Sequence, residues 1–192
     1  LTGSSSKLLS SEISTRLRGR SLTTEIFPFD FLELLRFHDA KVPLEAEAGS
    51  AAVALYENWF EKYLLSGGFP EVQSMPLPAR VQTLQDYVEL VLLRDIVERH
   101  RIENAPAARA FARALLQSPS RRFTVNKVHA DLRSRGPQVS KDTLHALLEH
   151  FQDAYLAFAV PIFSKSARVR ATNPRKIYVV DPGLAWAMSH VT

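Results

Sequence analysis

"NKVHADLRSRGPQVSKDTLHALLEHFQDAY", residues 126–155, reads as two helices around a tight turn. Asn126 is placed to cap the first helix and Gly136 to end it; Gly136-Pro137 turns the chain and Ser140 caps the second. Just upstream, "APAARAFARALLQ" (105–117) has helical spacing with Phe111, Leu115 and Leu116 inward, and Asn104 with Pro106 opens it. "RRFTV" (121–125) is a short extended piece. Downstream, "AFAVPIFS" (157–164) and "RKIYVVD" (175–181) read as two strands separated by "KSARVRATNP" (165–174).

Helix, short strand, helix, turn, helix and two further strands is the order of a winged helix-turn-helix. In that arrangement the start of the second helix enters the major groove, so Ser140, Lys141, Thr143, Leu144 and His145 are expected to face bases or nearby phosphates. Arg133 and Arg135 precede the turn, and Lys165, Arg168, Arg170, Arg175 and Lys176 crowd the expected wing. Only Asp131, Asp142, Glu149 and Asp153 offset them between Arg121 and Lys176. Such clustering suits phosphate contacts, which draw their energy from released counterions. The alternative is a winged helix used for packing, with solvated cations and no DNA; both stay open.

The composition of the 192 residues sets the outer limits. At 46% hydrophobic and 23% charged, the chain can bury a core, and its net charge of +4 matters only where it clusters. With no cysteine there is no disulfide, thiolate metal site or cysteine nucleophile. No apolar run is long enough to span a bilayer, and a cytoplasmic location with no membrane partner is expected. The six histidines fall in no metal-binding spacing, and no G-x-S-x-G elbow is present. "KIYVVD" imitates the strand and acid that hold magnesium in P-loop enzymes, but no G-x-x-x-x-G-K-[ST] run occurs anywhere in the sequence. Asp181 is therefore expected to sit in a turn with Pro182-Gly183.

Toward the N-terminus the character changes. Ser6 is placed to cap a short helix, "SLTTEIF" (21–27) alternates like a half-buried strand, and Asp30 with Glu33 is spaced as a capping box for "FLELLRF". After a loop at 39–50, Leu55, Trp59, Phe60 and Leu64 recur at helical spacing as far as Gly67-Gly68. A long helix from Ala79 to Arg101 follows, striped by Val81, Leu84, Val88, Val91, Leu92 and Ile96, with Arg94/Glu98 and Asp95/Arg99 as flanking ion pairs. The expected architecture is mostly α with a small amount of β. It divides into 1–38, the remnant of an α/β nucleotide domain; 39–104, a helical middle region; 105–181, the winged helix-turn-helix; and 182–192, the start of a further segment.

Taken together, "LTGSSSKLLSSEISTRLRGRSLTTEIFPFDFLELL" (1–35) resembles the part of a prokaryotic AAA-superfamily ATPase that follows its P-loop and magnesium-binding strand. "YLLSGGFPEV", "LLRDIVERHRIEN", the 126–156 stretch and "NPRKIYVVDPGL" resemble the uncharacterised C-terminal region attached to such ATPases. The resemblance runs in order along almost the whole chain. It implies a phosphate-binding half ahead of Leu1 and a restriction-endonuclease-like domain after the last residue, so the chain is expected to be a fragment. It further implies ATP and magnesium for the intact parent, with no cofactor held by this chain alone. Ser4 becomes a sensor of the γ-phosphate, and Arg18 and Arg20 of "RGR" approach phosphate in the parent; simple capping of a helix by the serines is the alternative. No catalytic site is complete within the chain, so no enzymatic activity is expected of it as given. Apolar residues of the N-terminal segment, Leu22, Ile26, Phe27 and Phe31, would lack their sheet, which makes a homo-oligomer a further expectation.

Overall fold

The structure is a computed structural model and describes residues 24–41, 49–135 and 138–190. Ser4, Arg18, Arg20, the helix expected from Ser6 and the Gly136-Pro137 turn lie outside the described residues. In chain order the elements are α1 (Phe31–Phe37), α2 (Ser50–Ser66), a 3-10 turn (Pro70–Val72) and α3 (Leu77–Leu90), which continues as a π-helix (Val91–Glu98). Then come α4 (Ala105–Leu116), β1 (Arg122–Phe123), α5 (Val125–Arg135), α6 (Lys141–Asp153), β2 (Ala157–Val160), α7 (Ala167–Thr172), β3 (Arg175–Val179) and α8 (Pro182–Ser189). The fold is thus mostly helical with one small antiparallel sheet, ordered β1-β3-β2.

Two compact units divide the chain, and they interleave along the sequence. Residues 27–86 join 181–192 in one unit; residues 87–180 form the body of the other, which also takes in Ile26.

In the first unit, α1 opens on the expected capping box. The Glu33 N–H donates to the Asp30 carboxylate at 2.8 Å and the Asp30 N–H donates to the Glu33 carboxylate at 2.9 Å. Leu34, Leu35, Val72, Leu84, Leu184 and Ala187 form its core, and α8 packs on α2. Helix α2 itself buries little: Val53, Tyr56, Phe60 and Leu64, one stripe at helical spacing, stay exposed. Phe31 meets Tyr56 and Phe60 edge-on, with ring centroids 5.1 and 5.3 Å away.

The same unit is locked where three loops converge. Gly67 ends α2 at φ 72°, ψ −169°, a conformation that only glycine adopts readily. Asp181, fully buried, accepts a hydrogen bond from the Gly68 N–H. It also caps α8 by accepting from the Leu184 N–H at 3.0 Å. Burial pushes the Asp181 carboxyl up, while the backbone N–H groups of Gly68, Leu184 and Gly183 pull it back down. Phe29 joins the junction by donating its N–H to the Gly68 carbonyl at 2.9 Å and accepting from the Tyr63 hydroxyl at 3.2 Å. Burial first, and then the charges of Asp181, Asp30 and Glu33, push the Tyr63 phenol up to about 12.

The second unit packs Phe111, Leu115 and Leu116 of α4 against Leu144, Leu147 and Phe151 of α6 and Ile177 of β3, all fully buried. Phe111 stands edge-on to Phe123 and tilted to Phe151, at 5.8 and 6.0 Å. Leu92 and Ile96 supply the helical wall. The i→i+5 bonding of the π-helix changes the angular spacing of its side chains, and Asp95 is buried there.

Three local expectations need correction. Residues 24–27 of "SLTTEIF" pair with no strand among the described residues, and Ile26 is 91% exposed, because a half-buried strand needs a neighbour on its edge. Helix α5 starts one residue before Asn126, and its cap is Thr124, whose hydroxyl accepts from the Lys127 N–H at 3.2 Å. β2 stops at Val160, since Pro161 has no N–H to continue the ladder.

His100 and His150 stack face to face, with ring centroids 3.5 Å apart and planes 12° from parallel. Burial holds both below the ordinary histidine value. Arg99 lowers His100 further and His100 lowers His150 further, while Asp153 raises both and Glu149 raises His150. Because both folded values are depressed, the fold favours the neutral rings. This stability is fully present above the unfolded histidine value and is lost as pH falls through the folded values. Thermal melts should therefore show the wild type losing several degrees between neutral pH and about pH 5. His150→Gln should show a flatter dependence over the same window; equal slopes would remove the pair from the account.

Candidate nucleic-acid interface

Helix α6 owes its position to its own pattern. Leu144, Leu147, Leu148 and Phe151 face inward, which leaves Lys141, His145 and Glu149 on one outward stripe with Asp142 beside it. Ser140 caps it: its hydroxyl accepts from the Thr143 N–H at 3.0 Å and lies 2.8 Å from the Thr143 hydroxyl. Gln138, just ahead of it, is held by Asn104, whose amide donates to the Gln138 carbonyl at 2.9 Å while its oxygen caps α4. Lys141 and His145 thus stand at an exposed helix start, where the macrodipole is positive, with Asp142 in the same turn. Leu144 does not belong to it. The residue expected to face bases is 0% exposed and lies in the core.

The remaining cations sort by what already holds them. Arg133 and Arg135 are both exposed on the last turn of α5. Arg135 pairs with Asp131 at 3.0 Å, an exposed i,i+4 pair of small energetic weight that a phosphate could replace. In the sheet, Arg122 stands opposite Lys176 and Lys176 opposite Val160, whereas Arg175 stands opposite Phe123. Since opposite residues share a face, Lys176 and Arg122 point outward, while Arg175 is half-buried on the side of Phe123 and Ile177. The two neighbouring cations thus serve different faces.

The β2–β3 connection is not a plain hairpin loop, because α7 interrupts it. Ser166 caps α7 by accepting from the Val169 N–H at 3.3 Å, and the Asn173 amide closes it on the Val169 carbonyl at 2.8 Å. Lys165 and Arg168 are exposed here. Arg170 instead turns its guanidinium onto the Ser164 carbonyl, so it braces the connection instead of extending from it. Sequence reasoning missed two residues of this surface. Arg122 becomes part of it only through the β1–β3 register, and Phe163, in the connection, is 97% exposed. An aromatic inside a stretch, 154–180, that carries five cations and no acid was the available signal for Phe163.

Among the described residues no cluster of three or more metal-ligating side chains occurs, and no helix is long and apolar enough to cross a membrane.

Residues 57–192 match the model of a domain of unknown function (DUF8612), and residues 1–35 match an AAA domain. An uncharacterised protein of Methanocaldococcus jannaschii is 36% identical over 183 residues, covering 94% of this chain and 40% of that protein. An uncharacterised protein of Haemophilus influenzae is 26% identical over 184 residues, covering 96% of this chain and 44% of its own length. The chain thus spans less than half the length of the curated relatives it matches. No solved structure matches it.

Proposed function

The chain belongs to the family defined by the domain of unknown function DUF8612, with AAA-like sequence at its start, and from that premise we propose that it is the C-terminal portion of an AAA-type ATP-binding protein whose winged helix binds duplex DNA. The order α4-β1-α5-α6-β2-α7-β3, with β3 between β1 and β2 in the sheet, supports the winged-helix reading, the short helix α7 being an insertion in the wing. The observation that carries the DNA reading is the charge pattern. Between residues 154 and 180 there is no acid and three cations, Lys165, Arg168 and Lys176, are exposed, in the same unit as the outward Lys141 and His145. ATP and magnesium belong to this proposal through the parent's phosphate-binding segment, whose motif is not in this sequence.

Fluorescence anisotropy over a range of salt concentrations tests the reading. The chain should bind duplex DNA with affinity on the order of 10⁻⁴ to 10⁻⁶ M at physiological salt. Lys165→Ala with Arg168→Ala should weaken binding to every sequence alike and flatten the salt slope by about one unit per lost phosphate contact. Lys141→Ala should matter more for a preferred sequence than for random DNA.

A second reading, a non-catalytic interaction scaffold, draws support from Asp142 and Glu149 on the outward side of α6 and from the engagement of Arg135 and Arg170 within the protein. Absence of DNA binding at low salt would move it ahead. A free-standing DNA-binding regulator would give the same anisotropy result, but it does not account for the AAA match at residues 1–35.

A further inference from the structure

Resting on the DNA-binding reading, we propose that Phe163 is an apolar wedge that enters the minor groove of duplex DNA and partly unstacks a base step there, while Lys165 and Arg168 hold the flanking phosphates. Phe163 is 97% exposed, and its neighbours Val160 and Ile162 are also exposed, at 46% and 41%. A phenylalanine this far into water gives the folded protein almost no burial energy, so its place in the connection is not explained by stability.

Its support is built, not slack. The Arg170 guanidinium donates to the Ser164 carbonyl, and the Ser164 hydroxyl accepts from the Ser166 N–H at 3.2 Å, so the residue next to Phe163 is held on both sides. Pro161 stiffens the approach from β2, and the capped helix α7 closes the far side. An aromatic presented on a braced connection loses little conformational freedom when it inserts.

Charge selects the occupant. From Ala154 to Val180 there is no acid, and three cations, Lys165, Arg168 and Lys176, are exposed, while Arg170 braces the connection and Arg175 is half-buried on the other face. A polyanion whose interior offers flat apolar surface meets both features, and duplex DNA is such a partner. Proteins that kink DNA insert Phe, Leu, Ile or Met between base steps in this way, most cheaply at flexible pyrimidine–purine steps.

The test uses the full chain and a duplex carrying 2-aminopurine at a central TA step, with a matched duplex lacking any pyrimidine–purine step. Wild type should raise the 2-aminopurine fluorescence on binding and prefer the TA duplex. Phe163→Ala should abolish that rise and weaken binding to the TA duplex by about tenfold, with an unchanged salt slope. Phe163→Leu should keep much of both signals, and because the side chain is exposed neither change should shift the melting temperature. If wild type and Phe163→Ala bind both duplexes equally with no fluorescence rise, the wedge is overturned while the DNA reading stands. If wild type binds neither duplex at low salt, both fall, and Phe163 is left to a protein partner.

Discussion

Gly68→Ala is expected to cost the unit built on residues 27–86 about 3–4 kcal/mol, enough to unfold it well below the melting temperature of the wild type. A Cβ on residue 68 would lie 2.0 Å from the Phe29 carbonyl oxygen, a backbone atom that cannot rotate aside. Relief requires the 29 and 68 strands of chain to separate. That breaks the Phe29–Gly68 hydrogen bond and strips the Tyr63 hydroxyl of its acceptor at Phe29. It also pulls the Gly68 N–H away from Asp181, leaving a buried carboxylate short of a donor. Gly67→Ala should be comparably severe for two reasons: its positive φ, and a Cβ that would fall 2.0 Å from the Asp181 carboxylate. Gly49→Ser, at a position where a Cβ meets nothing within 4 Å, is the control and should leave the melt unchanged. Circular dichroism melts of the three variants check this, and a Gly68→Ala midpoint within a degree or so of the wild type would refute the junction as a lock.

Leu144→Ala carries the second large effect, and it separates two accounts of one residue. A base-contacting leucine at a recognition helix would lose DNA affinity on truncation and leave the fold intact. The structure buries Leu144 completely beside Leu147, Phe111 and Phe151, so truncation should instead leave a cavity and cost about 2–5 kcal/mol. The expected result is a lowered melting temperature for the variant. Its DNA affinity, measured at low temperature where it remains folded, should equal the wild type's. Lys141→Ala should behave in the opposite way, with a melt like the wild type and weaker binding. A stable Leu144→Ala protein with reduced binding would reverse the assignment of inward and outward faces on α6.

The elements that were legible from residues alone are those governed by neighbours in the chain. Asp30 and Glu33 are three apart, Asn104 stands before Ala105-Pro106, Ser140 precedes a polar-apolar repeat, and each makes the cap that its spacing promised. The apolar positions Phe111, Leu115 and Leu116 likewise went inside. Mostly helical structure with a small sheet follows from periodicity, and periodicity is a local property.

What only the tertiary structure decided depends on groups far apart in sequence. Asp181 reaches the Gly68 N–H across 113 positions, so its identity as a lock could not be seen in "KIYVVD". The β1–β3 register puts Arg122 with Lys176 and turns Arg175 to the other face, a sorting that a list of cations cannot make. Arg170 was drawn inward by the Ser164 carbonyl, and Leu144 by the core, while Phe163 was left outside. A side chain's charge and shape are written in the sequence. Whether it meets a backbone carbonyl, a neighbour's ring or open water is settled by where the rest of the chain comes to lie, and that decides its energy and its use.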